Sequence, residues 1–340
     1  MLAFCNDYSE GCHPKILQRL IETNLEELPG YGSDKYTLSA KEKIKVACHA
    51  PSSDVFFLTG GTQANQVVIA GLLANYEGAI ACDSGHIAVH EAGAIEATGH
   101  KVLTIPAKNG KLVAEDLRNY LEDFYHGSSY EHMVQPGLVY VSQSTEYGTL
   151  YSKKELTSLH EVCLAYHLPL FVDGARLGYA LVTPENDLSL ADLAKICEVF
   201  YFGGTKDGLL CGEAVVFPKG APKHFFTTIK RQGALMAKGR LLGVQFDTLF
   251  SDDLYLEIGK PAIVAANRLR QALKTKGYQF AIDSPTNQTF IVLENKAMAQ
   301  LAQQVWFDVW EKKDENHTVI RLCTSWATSS EAVDRLIAIL

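Results

Sequence analysis

Short apolar runs alternate with amphipathic stretches through the middle of the chain. Buried strands are predicted at residues 54–59, 79–82, 100–105, 138–142, 169–173 and 199–202. Between them, apolar residues recur with helical spacing at residues 63–75, 86–98, 115–125, 153–167 and 190–196. Repeated alternation of this kind indicates a mainly parallel sheet with helices on both faces.

The pattern differs on either side of this region. Near the start, helices are predicted at residues 13–23 and 38–48, with a turn cluster between them. After about residue 231, helical stretches and strands are mixed, at 241–250, 254–276, 278–282, 288–293, 296–305, 319–323 and 330–340. We therefore expect a large α/β domain over residues 1–250 and a small α+β domain over residues 251–340, joined by a long helix.

Composition narrows the class of protein. The 340 residues are 47% hydrophobic and carry a net charge of -8, which gives no basic surface for nucleic acid. We expect no membrane segment, because no stretch reaches the roughly 18 apolar residues of a spanning helix, and no signal peptide, which together predict a cytoplasmic protein. The eight cysteines include no Cys-x-x-Cys pair, which is typical of reduced thiols.

Residues that could take part in catalysis or ligand binding follow several of the predicted strands. They lie at the edge where parallel sheets bind ligands. Lys206 lies in a turn between two strands, with Gly203 and Gly204 before it and Gly208 after it. Glycines let a ligand approach the backbone closely, and an amine there can condense with an aldehyde. Lys206 therefore either forms a Schiff base with pyridoxal phosphate (PLP) or is a solvated loop lysine.

Two other strand ends carry candidates for the same site. Gly61 and Thr62 open a helix, where free N–H groups suit a phosphate, although the segment also reads as an ordinary turn with a threonine N-cap. Asp173 ends a buried strand, where its carboxylate needs a partner such as a protonated pyridine nitrogen. Arg176 is placed to bind a substrate carboxylate, or else forms a structural Asp–Arg ion pair.

Two further positions have open interpretations. His86 and His90 are four residues apart, as in some zinc sites, but no third ligand is near and we predict no metal. His86 either stacks on a cofactor ring and serves as a base, or is a hydrogen-bonded structural histidine. Arg321 interrupts an apolar run, where it either binds a substrate carboxylate or faces solvent.

Taken together, these residues resemble the threonine aldolases of the β-eliminating lyase group, which have the PLP-dependent transferase-like architecture (fold type I). The matching positions follow the family's order over nearly the whole chain: 6–7, 31–32, 60–66, 86 with 91–94, 173–176, 206 and 321–322. The most specific part is the Asp-Gly-Ala-Arg stretch that begins at Asp173, followed about thirty residues later by Lys206.

The resemblance implies roles for the matching positions. Catalytic roles fall to Lys206, His86 and Asp173. Contacts with PLP fall to Gly61, Thr62, His86, Asp173, Arg176 and Lys206. Contacts with an amino-acid substrate fall to Asn6, Tyr31, Arg176 and Arg321. Such enzymes are homodimers or homotetramers with shared active sites, so Tyr31 or a basic residue among Arg231, Lys238 and Arg240 is expected to complete a neighbour's site.

Three positions depart from the family's common form. Asn6 stands where serine is frequent, and Gly203, Gly204 and Thr205 stand where a serine often precedes the lysine. A histidine often found in the loop after the fifth large-domain strand is replaced by the segment 144–147, which includes Glu146. These differences concern the substrate and its β-carbon configuration rather than PLP binding.

The activity implied by the resemblance is retro-aldol cleavage of a β-hydroxy-α-amino acid. L-Threonine or L-allo-threonine would give glycine and acetaldehyde. One alternative is another PLP enzyme of this fold, a β-eliminating lyase or an aminotransferase. A second alternative is a non-enzymatic protein that binds a phosphorylated ligand.

Overall fold

The computed structural model describes all residues from 1 to 340. Its strands are β1 (Leu2–Ala3), β2 (Asp54–Leu58), β3 (Glu77–Cys82), β4 (Val102–Ile105), β5 (Gln135–Ser142), β6 (Leu170–Asp173), β7 (Val199–Gly203), β8 (Glu213–Phe217), β9 (Gln279–Phe280), β10 (Gln288–Glu294), β11 (Val305–Trp306), β12 (Asp308–Lys312) and β13 (His317–Cys323). Its α-helices are α1 (Pro14–Thr23), α2 (Lys35–Ala47), α3 (Gly61–Leu72), α4 (His86–Val89), α5 (Ala114–His126), α6 (Lys153–Ala165), α7 (Leu177–Leu181), α8 (Leu190–Ile196), α9 (Phe225–Arg231), α10 (Arg240–Leu249), α11 (Leu254–Thr275), α12 (Asn295–Leu301) and α13 (Ser330–Ile339).

Seven strands form one sheet in the order β2-β8-β7-β6-β5-β3-β4. All neighbours are parallel except β8, which runs antiparallel to both β2 and β7. Successive residues of the central strands enter different apolar clusters: Phe171 and Tyr201 pack on one face, Val172 and Phe200 on the other. Both faces are therefore covered, which explains why these strands are continuously apolar and confirms the predicted fold class.

A second sheet has the antiparallel order β12-β13-β10-β9. One of its faces packs on α11 and α13, and the core there includes Leu269, Ile320 and Leu336. The first strand of the chain, β1, pairs in parallel with β11, and Phe4 enters the same core. The start of the chain thus lies against its C-terminal part, while the division near residue 250 stays a prediction.

The predicted helix over residues 86–98 is wrong beyond its first turn. It ends at Val89, and Ala92 and Gly93 have φ values of 50° and 76°, which a right-handed helix does not allow. The elements α7, α9 and β12 were not expected from the pattern. The two helices have only five and seven residues, and β12 is an edge strand with little burial, so none shows a clear periodicity.

No helix combines the length and the apolar character needed to cross a membrane. All eight cysteines are free thiols.

Candidate active site

The turn between β7 and β8 borders a cavity of about 340 Å³. Its walls come from the carboxyl edge of the large sheet, from the small sheet and from the N-terminal segment. They consist of Tyr8, His86, His90, Glu146, Arg176, Lys206, Asp308, Trp310 and Arg321. Four of the predicted residues, Lys206, His86, Arg176 and Arg321, therefore share one cavity. A larger polar cleft of about 650 Å³ beside Arg270 contains none of the predicted residues.

Lys206 is positioned by contacts of its own turn. Its carbonyl oxygen accepts a hydrogen bond from the Tyr179 hydroxyl at 2.6 Å. The Thr205 hydroxyl donates to Glu213 Oε1 at 2.9 Å, and a backbone N–H of the same turn donates to Oε2 at 3.2 Å, so β8 holds the turn at two points. Burial lowers the pKa of Lys206, and the positive charge of Arg176 lowers it further, which favours the neutral, nucleophilic amine.

Asp173 is a buried carboxylate at the end of β6. Its Oδ2 accepts hydrogen bonds from the Tyr140 hydroxyl at 2.5 Å and from Asn65 Nδ2 at 3.0 Å, and its Oδ1 accepts one from the backbone N–H of Ala175 at 2.9 Å. Burial acts to raise the pKa of Asp173, but the charge of His86 and these hydrogen bonds outweigh it and lower the pKa. The ionised acid is suited to a cationic partner such as a protonated pyridine nitrogen.

His86 is oriented by a buried acid. Its Nδ1 lies 2.9 Å from Glu91 Oε1, which also accepts a hydrogen bond from Asn65 Nδ2 at 2.7 Å. This contact fixes the orientation of the imidazole ring. Because Asn65 also bonds to Asp173, one polar network fixes both His86 and Asp173.

Arg176 forms a buried, bidentate ion pair with Asp7. Nε donates to Oδ2 at 2.7 Å and Nη2 donates to Oδ1 at 3.0 Å, while Asn287 Nδ2 donates to the same carboxylate at 2.9 Å. An Asp–Arg ion pair therefore exists, but its acid is Asp7 and not Asp173. The remaining nitrogen, Nη1, makes no hydrogen bond within the chain, so it is the donor available to a ligand in the cavity.

Arg321 is buried on β13 and faces the cavity rather than solvent. Nη1 donates to Gln288 Oε1 at 2.9 Å, Nη2 lies 2.8 Å from Asp308 Oδ2, and the guanidinium lies 5.0 Å from the centre of the Trp310 ring. Its Nε is buried without a hydrogen-bond partner. The positive charge of Arg321 at the cavity wall suits an anionic ligand.

Gly61 and Thr62 lie in the first turn of α3 and outside the cavity lining. No side chain caps this twelve-residue helix, so its first N–H groups are free to bind an anion. A Cβ on Gly61 would lie 3.1 Å from the Tyr201 hydroxyl, which leaves little room for a larger residue. Together with the Lys206 amine and the ionised Asp173, these donors fit the aldehyde, ring nitrogen and phosphate of PLP.

Asn6 and Tyr31 do not line the cavity. Asn6 Oδ1 accepts hydrogen bonds from the Tyr8 N–H and the Ser9 hydroxyl, each at 2.9 Å, and so closes a turn of the N-terminal segment. Tyr31 is exposed and borders a separate, mainly apolar cavity of about 80 Å³. Within one chain, Tyr31 therefore does not reach the surroundings of Lys206.

Of the three basic residues suggested for a neighbour's site, Arg240 is engaged within its own chain. It donates to the carbonyl oxygens of Thr23 and Glu26. Arg231 and Lys238 are exposed. These two are therefore the cations that remain free for another subunit.

Five residues of the cavity were not predicted as site residues: Tyr8, His90, Glu146, Asp308 and Trp310. Glu146 lies in the loop where the family often has a histidine. That difference identifies the loop but does not indicate a role for Glu146. Asp308 and Trp310 lie on β12, and an exposed edge strand has no apolar alternation that would reveal it. The structure groups no three histidine, cysteine or acidic side chains into a metal-binding cluster.

The family model described as beta-eliminating lyase matches residues 8–307. The chain belongs to the beta-eliminating lyase family. A solved structure of the Leishmania major threonine aldolase is 41% identical to it, covers 100% of this chain and 98% of that chain, and superposes with a TM-score of 0.95. The curated low specificity L-threonine aldolase of Pseudomonas aeruginosa is 28% identical over 98% of this chain and 95% of the relative.

More distant structures share the fold alone. The N-succinyldiaminopimelate aminotransferase of Mycobacterium tuberculosis is 16% identical and has a TM-score of 0.70 over 99% of this chain and 92% of that chain. These comparisons confirm the predicted family, the fold type and the cofactor. The protein is a PLP-dependent lyase of fold type I.

Proposed function

We propose that this lyase cleaves β-hydroxy-α-amino acids, with L-threonine or L-allo-threonine giving glycine and acetaldehyde. The observation that supports the proposal is the shared cavity, in which the Lys206 amine lies with the guanidinium groups of Arg176 and Arg321. An amino-acid carboxylate is the anion that such groups bind well. The relatives from Leishmania major and Pseudomonas aeruginosa described above, at 41% and 28% identity, are threonine aldolases.

PLP, when bound, supplies an electron sink for the carbon–carbon bond that breaks. In the proposed arrangement, Lys206 holds PLP covalently and Asp173 keeps its ring nitrogen protonated. His86 lies against the ring, with its Nδ1 fixed by Glu91. The free N–H groups that begin with Gly61, and the Thr62 hydroxyl, bind the phosphate.

Arg176 and Arg321 are proposed to hold the substrate carboxylate, Arg176 through Nη1 and Arg321 through the part of its guanidinium group that borders the cavity. Two anchors on one carboxylate fix the direction of the Cα–Cβ bond, which converts binding energy into orientation. Asn6 lies near this end of the site, in the turn that leads to Asp7.

The proposed assembly is a cytoplasmic homodimer or homotetramer with shared active sites. Tyr31 supports this arrangement because it lies away from the cavity of its own chain and borders an apolar depression. Arg231 and Lys238 are the exposed cations that a neighbouring subunit would offer.

Spectroscopy of the purified protein tests the function. We expect a visible absorbance band from bound PLP that changes when L-threonine is added, with release of glycine and acetaldehyde. Lys206→Ala is expected to lose both the band and the products, because no other lysine lines the cavity. The exposed Lys296→Ala serves as the matched control. Pyruvate and ammonia formed from serine, without acetaldehyde from threonine, would assign the protein to β-elimination instead.

A further inference from the structure

Two acids line the cavity, and only one of them lacks a cationic partner. Asp308 lies 2.8 Å from Arg321 Nη2, so its charge is already paired. Glu146 is buried, with 7% of its surface exposed, and forms no ion pair with lysine or arginine. Keeping a carboxylate ionised in a buried position without a counter-charge costs free energy. Such groups are characteristic of functional sites.

The two oxygens of Glu146 have different environments. Oε1 accepts a hydrogen bond from the Ser142 hydroxyl at 2.7 Å and another from the backbone N–H of His86 at 3.0 Å. These donors come from the end of β5 and the start of α4, so they fix the carboxylate from two sides. Oε2 makes no hydrogen bond within the chain, and the residue borders the cavity. One oxygen is thus an anchor, and the other is available to a substrate.

We propose that Glu146 is the base that takes the proton from the β-hydroxyl group of the substrate. The inference rests on the aldolase function proposed above and names the group that starts its chemistry. His86 is the other candidate in the cavity, but its Nδ1 is engaged by Glu91 and its ring is assigned to the cofactor face. Glu146 has an oriented carboxylate and an unpaired oxygen, which are the properties that a general base needs.

The step balances without any further reactant. The hydroxyl O–H bond breaks, its proton moves to Glu146 Oε2, and its electron pair forms the second bond of the carbonyl group. The Cα–Cβ bond breaks and its electron pair stays with Cα. The aldehyde leaves, Glu146 releases its proton to solvent, and Cα gains a proton from solvent to give glycine.

The environment of Glu146 also favours proton uptake. Burial raises the pKa of Glu146, and the negative charge of Asp173 acts in the same direction, whereas the Ser142 hydrogen bond and the charge of His86 oppose it. A carboxylate with a raised pKa is a stronger base than an exposed one.

Glu146→Gln separates this role from a structural one. The amide oxygen keeps the acceptor for Ser142 and His86, but the side chain no longer takes up a proton. In the PLP-loaded protein, we expect kcat for L-threonine to fall by about 10²- to 10⁴-fold, with KM within about threefold. Glycine has no β-hydroxyl group, so its binding, followed by the visible spectrum, and the exchange of its α-hydrogen for deuterium, followed by NMR, are expected to stay within about threefold.

Two further variants complete the test. Glu146→Asp restores a carboxylate and is expected to recover about tenfold or more of the lost rate, while the exposed Glu311→Gln is the matched control. Cleavage by Glu146→Gln within about threefold of the unchanged protein would overturn the inference. An equal loss of cleavage and glycine exchange would also overturn it, because Glu146 would then only position the site. Absence of acetaldehyde from the unchanged protein would instead overturn the proposed function.

Discussion

Replacing Asp7 by asparagine removes one charge from a buried ion pair at the wall of the active-site cavity. Asn has nearly the same shape as Asp, so the substitution leaves the packing in place. Arg176 then loses its counter-charge while remaining buried. We expect Asp7→Asn to destabilise the folded protein.

The size of the effect follows from the ionisation of Asp7. Burial acts to raise its pKa, but the charges of Arg176 and Lys206 outweigh burial and lower the pKa from 3.8 to about 2. This fall corresponds to about 2 kcal/mol in favour of the ionised carboxylate in the folded state. Leaving Arg176 buried and unpaired costs more, about 3–5 kcal/mol in comparable cases. We therefore expect a loss of about 2–5 kcal/mol in the free energy of unfolding.

Urea denaturation at pH 7 without added PLP measures this loss, because ligand binding then adds no difference between the two proteins. The folded pKa of Asp7 is the lower one, so its contribution is present above about pH 4 and is lost as the pH falls towards about 2. The difference in the free energy of unfolding between Asp7→Asn and the unchanged protein should therefore decrease below about pH 4. Asp314→Asn, which affects an exposed pair with His317, is the matched control. A midpoint for Asp7→Asn equal to that of this control would refute the reasoning.

Two other variants test the anchors of the site. Arg321→Gln is expected to raise KM for L-threonine by about 10- to 100-fold while the absorbance of bound PLP persists, and an unchanged KM in steady-state kinetics would contradict its role. Burial raises the pKa of Glu213 from 4.5 to about 8, so the folded state favours the protonated acid and stability falls as the pH rises between these values. Glu213→Gln stays neutral, so its free energy of unfolding should fall by at least about 1.4 kcal/mol less than that of the unchanged protein between pH 5 and 8. Urea denaturation across this pH range measures the difference, and parallel pH curves for the two proteins would contradict the prediction.

The central sheet could be predicted because each parallel strand is a continuous apolar run. The same pattern predicts Lys206 and Asp173 at one edge, since Asp173 ends β6, Lys206 follows β7, and the two strands run in the same direction. The apolar character of a strand and the residue at its end are local properties, so they can be taken directly from the amino-acid sequence. The helix expected over residues 86–98 failed because its apolar periodicity gives no sign of the left-handed residues Ala92 and Gly93.

Partners that are distant in sequence could not be predicted. Arg176 and Asp7 are 169 positions apart, and nothing in the sequence indicates which acid Arg176 contacts. The unpaired oxygen of Glu146 depends on where Ser142 and the His86 backbone lie after folding. Such properties arise from tertiary packing rather than from periodicity, so they become visible only in three dimensions.

The N-terminal segment is made early but can take its place in the site only after residues far along the chain have been made. Asp7 accepts a hydrogen bond from Asn287, which is 280 positions later, and β1 needs β11 as its partner. At a synthesis rate of roughly 5–20 residues per second, the partners appear on the order of tens of seconds after Asp7 itself. The N-terminal segment therefore lacks these partners until the residues of β10 and β11 have been made. One wall of the cavity closes only after β10 has been made, so a nascent chain that stalls before β10 carries Lys206 but no complete site.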